Sequence, residues 1–335
     1  MNEVKLDNFK RSLDYSISKQ EKTEQIVKKL CKKEIKNIFL VGCGGSLMVM
    51  YPAKYILERN SDIPLYIYNA GEFITTKPQM VTENSLVILS SFSGRTDEVV
   101  KAYNYANEIG ASTLAFSSKD SPLGDNVDYL FDLKYKTGVN QAQLIMLMQI
   151  MLNIVKVQNN FDKYQEALQS INSLPDLLVN LKQEVESEAE KFAKKYKNAE
   201  FFLVIASGPN WGEAYQFATC NLEEMQWIKA QPVHAGEFFH GTFEIVRDNS
   251  NLIIFNGEDK TRPLIQRTLD FTEKYCNNVT LIDPKNYELT GINKELRGLF
   301  SPIIISTIKS VYFKKLAAHR NHPPDTRKYM GKIEY

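Results

Sequence analysis

The chain has 335 residues, a length that usually folds as two domains rather than one. With 43% hydrophobic and 24% charged residues and a net charge of +1, it has the composition of an ordinary globular protein. This charge balance gives no electrostatic reason to expect nucleic acid or an acidic membrane surface as a partner.

Two further features of the sequence bear on the cellular compartment. The four cysteines, Cys31, Cys43, Cys220 and Cys276, are scattered without a CxxC pair, which predicts free thiols in a reducing compartment. The first 19 residues are polar and charged, unlike a signal peptide, and no apolar run approaches the ~20 residues of a membrane span. We therefore expect a cytoplasmic location.

Strand and helix patterns alternate along the first half of the chain. A helical opening segment is followed by an apolar run that ends in a glycine turn and enters a second helical stretch. Further strands follow, and their alternation with helices predicts a parallel sheet covered on both faces. The predicted elements are helix 4–33, strand 37–41, turn 42–46, helix 47–59, strands 64–68 and 85–89, helix 97–109, strands 112–116 and 129–133, and helix 141–157.

The pattern restarts after a polar segment. Residues 159–197 are helix-forming, with Pro175 as a predicted break, and we interpret them as a helical linker. Beyond them come a strand, a glycine turn, a helix, two short strands and a last helix, at 200–206, 207–212, 214–228, 252–255, 279–282 and 303–318. Because the second half echoes the first, the sequence predicts an α/β fold of two tandem, doubly wound parallel-sheet domains of flavodoxin-like or Rossmann-like type, residues 1–158 and 198–318. A single six-stranded sheet with extensions is the alternative.

Two hydroxyl-bearing turns follow predicted strands of the first domain, at the carboxyl ends where open α/β sheets bind ligands. Both offer backbone N–H groups, and the second lies directly before a helix, whose N-terminus favours a phosphate. Helix capping is the alternative for any one hydroxyl, but two such turns favour anion binding. Neither a complete GxGxxG nor GxxxxGK[ST] is present, so nucleotide binding is not indicated. The candidate ligand-binding residues are Gly45, Ser46, Ser91, Ser93 and Thr96.

Candidate acid–base residues lie in the second half. Glu223 and Glu224 come near the end of a predicted helix, and His234 and His240 lie in the segment that follows. A carboxylate and an imidazole are groups that can move protons on a sugar. Periodicity favours a solvated helix face for Glu223, leaves Glu224 open and allows a polar loop position for His234. His240 precedes Gly241, which favours a tight turn facing the site.

Metal binding is a weaker alternative for the same segment. His234, Glu237 and His240 have the spacing HxxExxH, which lacks the i,i+4 histidine pair of a zincin helix. We therefore predict no metal site.

The C-terminal segment, residues 319–335, is dense in histidine, arginine, lysine and proline. Such tails are often frayed, but the prolines and aromatic residues of this one favour an ordered segment. We expect it to fold over an active site and to contribute His319, as a substrate-binding residue, Arg327 or Lys332.

Three motifs together resemble the sugar isomerase (SIS) domain family. They are Cys43-Gly-Gly-Ser46, Ser91-Phe-Ser-Gly-Arg-Thr96, and Glu224 with His240-Gly241. The resemblance covers nearly the whole chain as two SIS domains in tandem, and it is similar to the isomerase half of glucosamine-6-phosphate synthase. It implies that the sugar phosphate is bound by Ser46, Ser91, Ser93 and Thr96.

The resemblance also implies catalytic residues. The essential glutamate of that enzyme lies sixteen residues before a histidine of an HG motif, which is the spacing of Glu224 and His240. Lys332 stands where a tail lysine of the synthase forms a Schiff base with the open-chain ketose.

One branch of the family is more similar: the fructosamine and fructoselysine 6-phosphate deglycases, by the ending 322–335 and the segment 224–241. The chain has Thr242 where the family often has the proline of an HGP motif. Because not every deglycase needs the tail lysine, a Schiff base at Lys332 stays open. Asn2 and the lack of a preceding glutamine-hydrolysing domain favour a deglycase over the synthase.

The function implied by this resemblance is hydrolysis of a fructosyl-amino-acid 6-phosphate to glucose 6-phosphate and a free amino acid. The reaction is expected to be an acid–base 1,2-shift followed by imine hydrolysis, without a cofactor, in a homodimer or higher homo-oligomer. The alternatives are a glucosamine-6-phosphate deaminase or aldose–ketose phosphosugar isomerase, and a non-catalytic sugar-phosphate sensor. The sequence does not name the released amine.

Overall fold

A computed structural model describes residues 3–159 and 161–334 of the chain. These residues form two compact units, the first comprising residues 3–175 with 291–293 and the second comprising residues 176–290 with 294–334. Each unit contains one parallel sheet with helices, so the predicted α/β class is confirmed. Among these two described stretches, no helix is both long and apolar enough to cross a bilayer.

The sheet of the first unit has five parallel strands in the order β2-β1-β3-β4-β5. Alternate side chains of a strand point to opposite faces, and Phe39 and Leu40 of β1 are both fully buried, so the sheet is covered on both faces. Phe39 packs into an apolar cluster with Phe73 and Val99. The strands are β1 (Asn37–Gly42), β2 (Leu65–Asn69), β3 (Ser85–Ser91), β4 (Ser112–Ser117) and β5 (Tyr129–Asp132).

The helices of the first unit match the predicted pattern with three changes, one of which is the short helix α5, which the sequence did not predict. The predicted opening helix is two helices, and the helix predicted after the first glycine turn is also divided in two. The long helix α7 is apolar on nearly all sides because it packs against α1, α2 and α4 at once. The helices are α1 (Glu3–Ile17), α2 (Gln20–Leu30), α3 (Gly44–Met48), α4 (Pro52–Asn60), α5 (Ala70–Thr76), α6 (Asp97–Ile109) and α7 (Val139–Asn159).

The helix α8 (Tyr164–Glu184) shows that the predicted break at Pro175 is wrong. The helix continues through the proline, which removes one backbone hydrogen bond. Leu174, Leu178 and Leu181 are buried along the same helix, and their burial offsets that loss.

The sheet of the second unit has four parallel strands in the order β7-β6-β8-β9. This order repeats the order β2-β1-β3-β4 of the first unit. The sequence pattern missed β7, which contains Pro232 and alternating polar residues. A proline is tolerated there because β7 is at the edge of the sheet. The strands are β6 (Phe201–Ala206), β7 (Lys229–His234), β8 (Leu252–Phe255) and β9 (Val279–Ile282).

The helix predicted at 214–228 begins earlier, at Trp211, and is not a regular α-helix. It consists of the α-helical turn α10 (Trp211–Tyr215), followed by a π-helix (Gln216–Glu224) that ends at the candidate catalytic glutamate. The remaining helices are α9 (Glu186–Tyr196), α11 (Arg262–Tyr275) and α12 (Arg297–His319), and α9 packs along α12.

A lysine is buried where α8 meets α12 in the second unit. The side chain of Lys182 is 3% exposed, and its Nζ donates a hydrogen bond to the Ser310 hydroxyl at 2.6 Å. Desolvation, together with the positive charge of Lys314, lowers the pKa of Lys182 to about 7. The folded state therefore disfavours the protonated form of this side chain.

This burial predicts a pH-dependent stability. Between about pH 7 and 10.5 the unfolded chain holds a proton on Lys182 that the folded chain has lost, so stability rises with pH by up to about 1.4 kcal/mol per unit. We expect Lys182→Met to be more stable at pH 7 and to lose this rise, as measured by urea denaturation at several pH values. The exposed Lys191→Met serves as the control and should keep the natural pH dependence. A Lys182→Met chain with the full rise would contradict the assignment.

Candidate functional site

The two predicted turns of the first unit meet at one place. In the strand order β2-β1-β3, the chain leaves β1 and β3 in opposite directions, which opens a crevice at their carboxyl ends. Gly42, the last residue of β1, lies opposite Ser90 of β3. A Cβ at Gly42 would lie 3.0 Å from the Ser90 carbonyl oxygen, so glycine permits this close approach. The turns after β1 and β3 therefore border the same crevice.

The first turn, Cys43–Ser46, leads into α3. Gly44 has a φ of +50°, a conformation that favours glycine. Ser46 is half-buried, and its hydroxyl makes no hydrogen bond with any described residue. Gly45 follows Gly44 within α3, so both of its neighbours belong to the turn.

The second turn, at the end of β3, carries three hydroxyls, two of which are hydrogen-bonded to each other. The Ser91 and Thr96 hydroxyl oxygens are 2.9 Å apart, and the Gly94 N–H donates to Ser91 Oγ at 3.2 Å. Ser93 is exposed, and its Oγ accepts from the Arg95 N–H at 3.2 Å. Thr96 occupies the N-cap position of α6 but makes no side-chain capping hydrogen bond. The Thr96 hydroxyl thus faces Ser91 instead of the helix end.

Gly94 fixes the path of this turn. Its φ is +63°, and a Cβ there would lie 2.0 Å from Ser121 Oγ and 2.4 Å from Ser117 Oγ. Ser117 ends β4, and Ser121 Oγ donates to the Ser118 carbonyl oxygen at 2.6 Å. No sequence motif indicated Ser117 and Ser121, because they support the turn from the end of β4 and the loop that follows it.

The corresponding crevice of the second unit, at the ends of β6 and β8, is filled by its own side chains. Asp259 is 6% exposed, and its Oδ1 accepts from the Thr261 N–H at 2.8 Å and from the Thr261 hydroxyl at 2.6 Å. Its Oδ2 accepts from Asn210 Nδ2 at 2.8 Å. The Ser207 and Thr261 hydroxyl oxygens are 2.8 Å apart. A carboxylate of the chain therefore occupies the position where the first unit offers hydroxyls.

Glu224 is the last residue of the π-helix. Its Oε1 lies 2.7 Å from Nη2 of Arg327, and the two side chains are 26% and 21% exposed. Oε2 has no hydrogen-bonding partner among the described residues. The adjacent Glu223 is exposed and accepts a hydrogen bond from the Ala230 N–H at 3.3 Å. π-Helical turns occur often at functional sites, and this one separates the roles of two adjacent carboxylates.

The chain directly after Glu224 is strained and contacts the C-terminal segment. Trp227 has a φ of +56°, which is rare for a bulky residue, and its side chain is 51% exposed. Its ring centroid is 4.6 Å from that of His322. Gln226 is fully buried, and its Nε2 donates to the His322 carbonyl oxygen at 2.9 Å. No sequence motif indicated this contact, since it joins two distant segments.

Two histidines, one at the end of β7 and one in the 3₁₀ turn beyond it, lie in different surroundings. His240 is exposed, ends a short 3₁₀ turn before Gly241, and forms no hydrogen bond or ion pair with Glu224 of the same chain. His234 Nδ1 accepts from the Gly236 N–H at 3.1 Å, and burial lowers the His234 pKa. Across residues 3–159 and 161–334, no group of three or more His, Cys, Asp or Glu side chains is arranged to hold a metal ion.

The two other predicted residues of the tail lie at separate places in the second unit. Lys332 is exposed, and its Nζ donates to the carbonyl oxygen of Arg327. His319 Nε2 lies 2.8 Å from Oε1 of Glu190, and this hydrogen bond lowers the Glu190 pKa. His319 lines a cavity with Phe201, at the amino end of β6, the edge opposite to the carboxyl ends. Arg327 thus pairs with Glu224, Lys332 contacts only the Arg327 backbone among these residues, and His319 lies elsewhere.

The two hydroxyl-bearing turns of the first unit match a known family of domains. Parallel α/β sheets with hydroxyl-bearing turns at a switch point are suited to holding a phosphorylated ligand. The SIS domain pattern matches residues 33–154, which include both turns.

Full-length relatives extend the match to nearly the whole chain. Fructosamine deglycase FrlB of Bacillus subtilis (strain 168) is 39% identical over 308 residues, covering 90% of this chain and 94% of the relative. Fructoselysine 6-phosphate deglycase of Escherichia coli (strain K12) is 25% identical over 312 residues, covering 92% and 90%. A crystal structure of a candidate phosphosugar isomerase from Bacillus subtilis superimposes with a TM-score of 0.88 at 36% identity, covering 96% of this chain and 99% of that one. The chain belongs to the SIS-domain family, in the branch of the fructosamine and fructoselysine 6-phosphate deglycases.

The close packing at Gly94 predicts a large effect of one added methyl group. We expect Gly94→Ala to lose about 1–2 kcal/mol from its left-handed backbone and about 1–3 kcal/mol more from overlap with the two serine hydroxyls. Gly110→Ala is the matched control, because Gly110 has a φ of +80° but only one side-chain atom near its Cβ position, at 3.8 Å. Urea denaturation of both variants separates backbone strain from overlap, and equal losses would contradict the packing argument.

Proposed function

We propose that the chain hydrolyses a fructosyl-amino-acid 6-phosphate to glucose 6-phosphate and a free amino acid. The observation that carries this proposal is the Glu224 carboxylate, which Arg327 holds through one oxygen at 2.7 Å while its other oxygen has no described partner. A carboxylate fixed in this way is suited to act as a base toward a carbon-bound proton. The likeness to two deglycases over 90% and 92% of the chain supports the choice of substrate class.

The turns of the first unit are proposed to anchor the phosphate. The hydroxyls of Ser46, Ser91, Ser93 and Thr96, the N–H of Gly45 and the N-terminus of α6 can donate hydrogen bonds to its oxygens. Because the phosphate is remote from the reacting carbons, its binding energy can orient the sugar for catalysis. Because the corresponding crevice of the second unit already contains the Asp259 carboxylate, we assign the anion site to the first unit.

The reaction is proposed to proceed by ring opening, a 1,2-shift through proton transfers, and hydrolysis of an imine. His240 moves a proton at the ring oxygen, and the sugar opens to a ketosamine with a carbonyl at C2. Glu224 removes a proton from C1, the electron pair forms the C1–C2 double bond, and the C2 oxygen takes a proton. A proton then returns to C2 while the nitrogen lone pair completes an imine at C1. Water adds to C1, and the carbon–nitrogen bond breaks to give the aldehyde of glucose 6-phosphate and the amine. None of these steps uses a metal or an organic cofactor.

Lys332 is the third proposed catalytic residue. Its amino group lies on the carbonyl oxygen of Arg327, the residue that pairs with Glu224. A primary amine at this position can form a Schiff base with the open-chain ketose or move a proton. His319 is retained as a proposed substrate-binding residue.

We also propose that the second sheet is a second SIS domain. Its order β7-β6-β8-β9 repeats the order β2-β1-β3-β4 of the unit that the SIS pattern matches. The proposed domains are residues 1–158 and 198–318, joined by the helical linker 159–197 and followed by the tail 319–335. The tail is proposed to fold over the active site, since Arg327 pairs with Glu224.

A homodimer in the cytoplasm is proposed as the working form. His240 is exposed and forms no hydrogen bond or ion pair with Glu224 of its own chain, so a second copy is proposed to bring the histidine to the glutamate. The four cysteines, all within the described residues, form no disulfide bond, which suits a reducing compartment.

The proposed base predicts the effect of a single-atom change. We expect Glu224→Gln to keep substrate binding and to lower kcat by roughly 10²–10⁴-fold, because the amide cannot accept the C1 proton. The measurement is glucose 6-phosphate release, in a coupled dehydrogenase assay, from a panel of fructosyl-amino-acid 6-phosphates. Binding is followed by the shift in melting temperature.

Glu223→Gln is the matched control for this experiment. An amide oxygen can still accept from the Ala230 N–H, so we expect near-natural turnover. Natural turnover in Glu224→Gln would refute the role of Glu224. Absence of release from every member of the panel, with turnover of glucosamine 6-phosphate instead, would replace the deglycase by a deaminase.

The anion site predicts a second effect. Ser91→Ala and Thr96→Val each remove a hydroxyl donor to a charged group, which is worth about 1.5–3 kcal/mol, so KM should rise by about 10–100-fold with kcat less affected. Ser207→Ala, at the filled crevice, should leave KM unchanged. The measurement is the KM of each variant for one phosphorylated substrate under steady-state conditions. A larger rise in KM for Ser207→Ala than for Ser91→Ala or Thr96→Val would move the anion site to the second unit.

A further inference from the structure

Arg327 has unused hydrogen-bonding capacity beside the proposed base. Its Nη2 pairs with Glu224 at 2.7 Å, and its Nη1 donates to the carbonyl oxygens of Pro324 at 2.7 Å and Thr326 at 3.1 Å. A guanidinium has five N–H groups in a rigid fork. Two of the five therefore have no partner among the described residues, and the side chain is 21% exposed.

The position of Arg327 is fixed by the fold of the tail. The Thr326 N–H donates to the Pro323 carbonyl oxygen at 3.0 Å, which closes a turn immediately before the arginine. The His322 N–H donates to the Ala317 carbonyl oxygen at 3.1 Å, and the His322 carbonyl accepts from Gln226, two residues after Glu224. The guanidinium is thus held in place before a ligand arrives, which lowers the entropic cost of binding.

Substrate chemistry places a second carboxylate near this arginine. In the proposed reaction Glu224 acts on C1, and the substrate nitrogen is bonded to C1. When the amine is an α-amino acid linked through its α-nitrogen, the carboxylate carbon is only three bonds from C1. We propose that Arg327 is a specificity-determining residue that binds this carboxylate with its two free N–H groups while it holds Glu224. The inference rests on the proposed deglycase function.

Neighbouring cations of the tail are less suited to this role. Lys332 directs its amino group to the Arg327 carbonyl oxygen, and Lys328 is exposed with its Nζ 4.9 Å from the centroid of the Tyr329 ring. A lysine presents a point charge, whereas the arginine fork can bind two carboxylates along different edges. Arg327 is therefore the group that can pair with base and substrate together.

The test uses two substrates that differ only in the carboxylate: the 6-phosphates of N-fructosyl-alanine and N-fructosyl-ethylamine. In the natural chain we expect kcat/KM to be about 10–100-fold higher for the alanine compound, since hydrogen bonds to charged groups are worth about 1.5–3 kcal/mol. In Arg327→Gln this ratio should fall toward one. Arg327→Lys should keep part of the preference, and Lys328→Gln should keep all of it.

Each outcome of this experiment is decisive. If Arg327→Gln lowers kcat/KM equally for both compounds, the arginine only positions Glu224 and the proposal fails. If the natural chain releases glucose 6-phosphate from both compounds at equal kcat/KM, the deglycase stands and the carboxylate proposal falls. If it releases none from either compound but turns over another member of the fructosyl-amino-acid panel, the carboxylate proposal falls and the deglycase stands, whereas absence of release from the whole panel contradicts both. Melting temperatures of all variants show whether a loss of activity comes from unfolding.

Discussion

Parallel strands need crossover connections, and this requirement determines where both units can bind a ligand. All loops that leave the carboxyl ends emerge at one edge of a sheet, and the strand order opens a crevice where the chain reverses its winding direction. In the first unit this crevice lies between β1 and β3, where Gly42 lets the two strands end close together. The order is repeated in the second unit, so the same constraint produces a crevice between β6 and β8.

The side chains at the two crevices decide their different uses. The first is bordered by hydroxyls, and Ser46 and Thr96 have polar atoms that are not consumed by helix capping. The second contains Asp259, whose carboxylate already accepts three hydrogen bonds from Thr261 and Asn210. A phosphate entering there would meet a buried negative charge. One topology can therefore give an anion site in one unit and a self-satisfied polar network in the other.

The sequence predicts what depends on local pattern and misses what depends on distant contacts. The buried strands are apolar runs, so they can be predicted from the sequence; they are β1, β3, β4, β6 and β8. The edge strand β7 could not be predicted, because Pro232 and its polar residues hide the strand pattern. The π-helix could not be predicted either, because its i→i+5 hydrogen bonds shift side chains away from the α-helical period. The hydroxyl turns could be predicted as motifs. The pairing of Glu224 with Arg327 could not, since only the folded tail brings them together.

The π-helix and the C-terminal tail together orient the Glu224 carboxylate. A base must present a free carboxylate oxygen in a fixed direction, and a glutamate on a regular solvated helix face would rotate between conformers. The π-helix ends at Glu224, and the strained turn at Trp227 directs the chain into β7. The tail then returns through His322, so that Arg327 fixes one carboxylate oxygen from outside the helix. The cost of a rare backbone conformation at Trp227 is thus offset by contacts that orient the base and leave its second oxygen available.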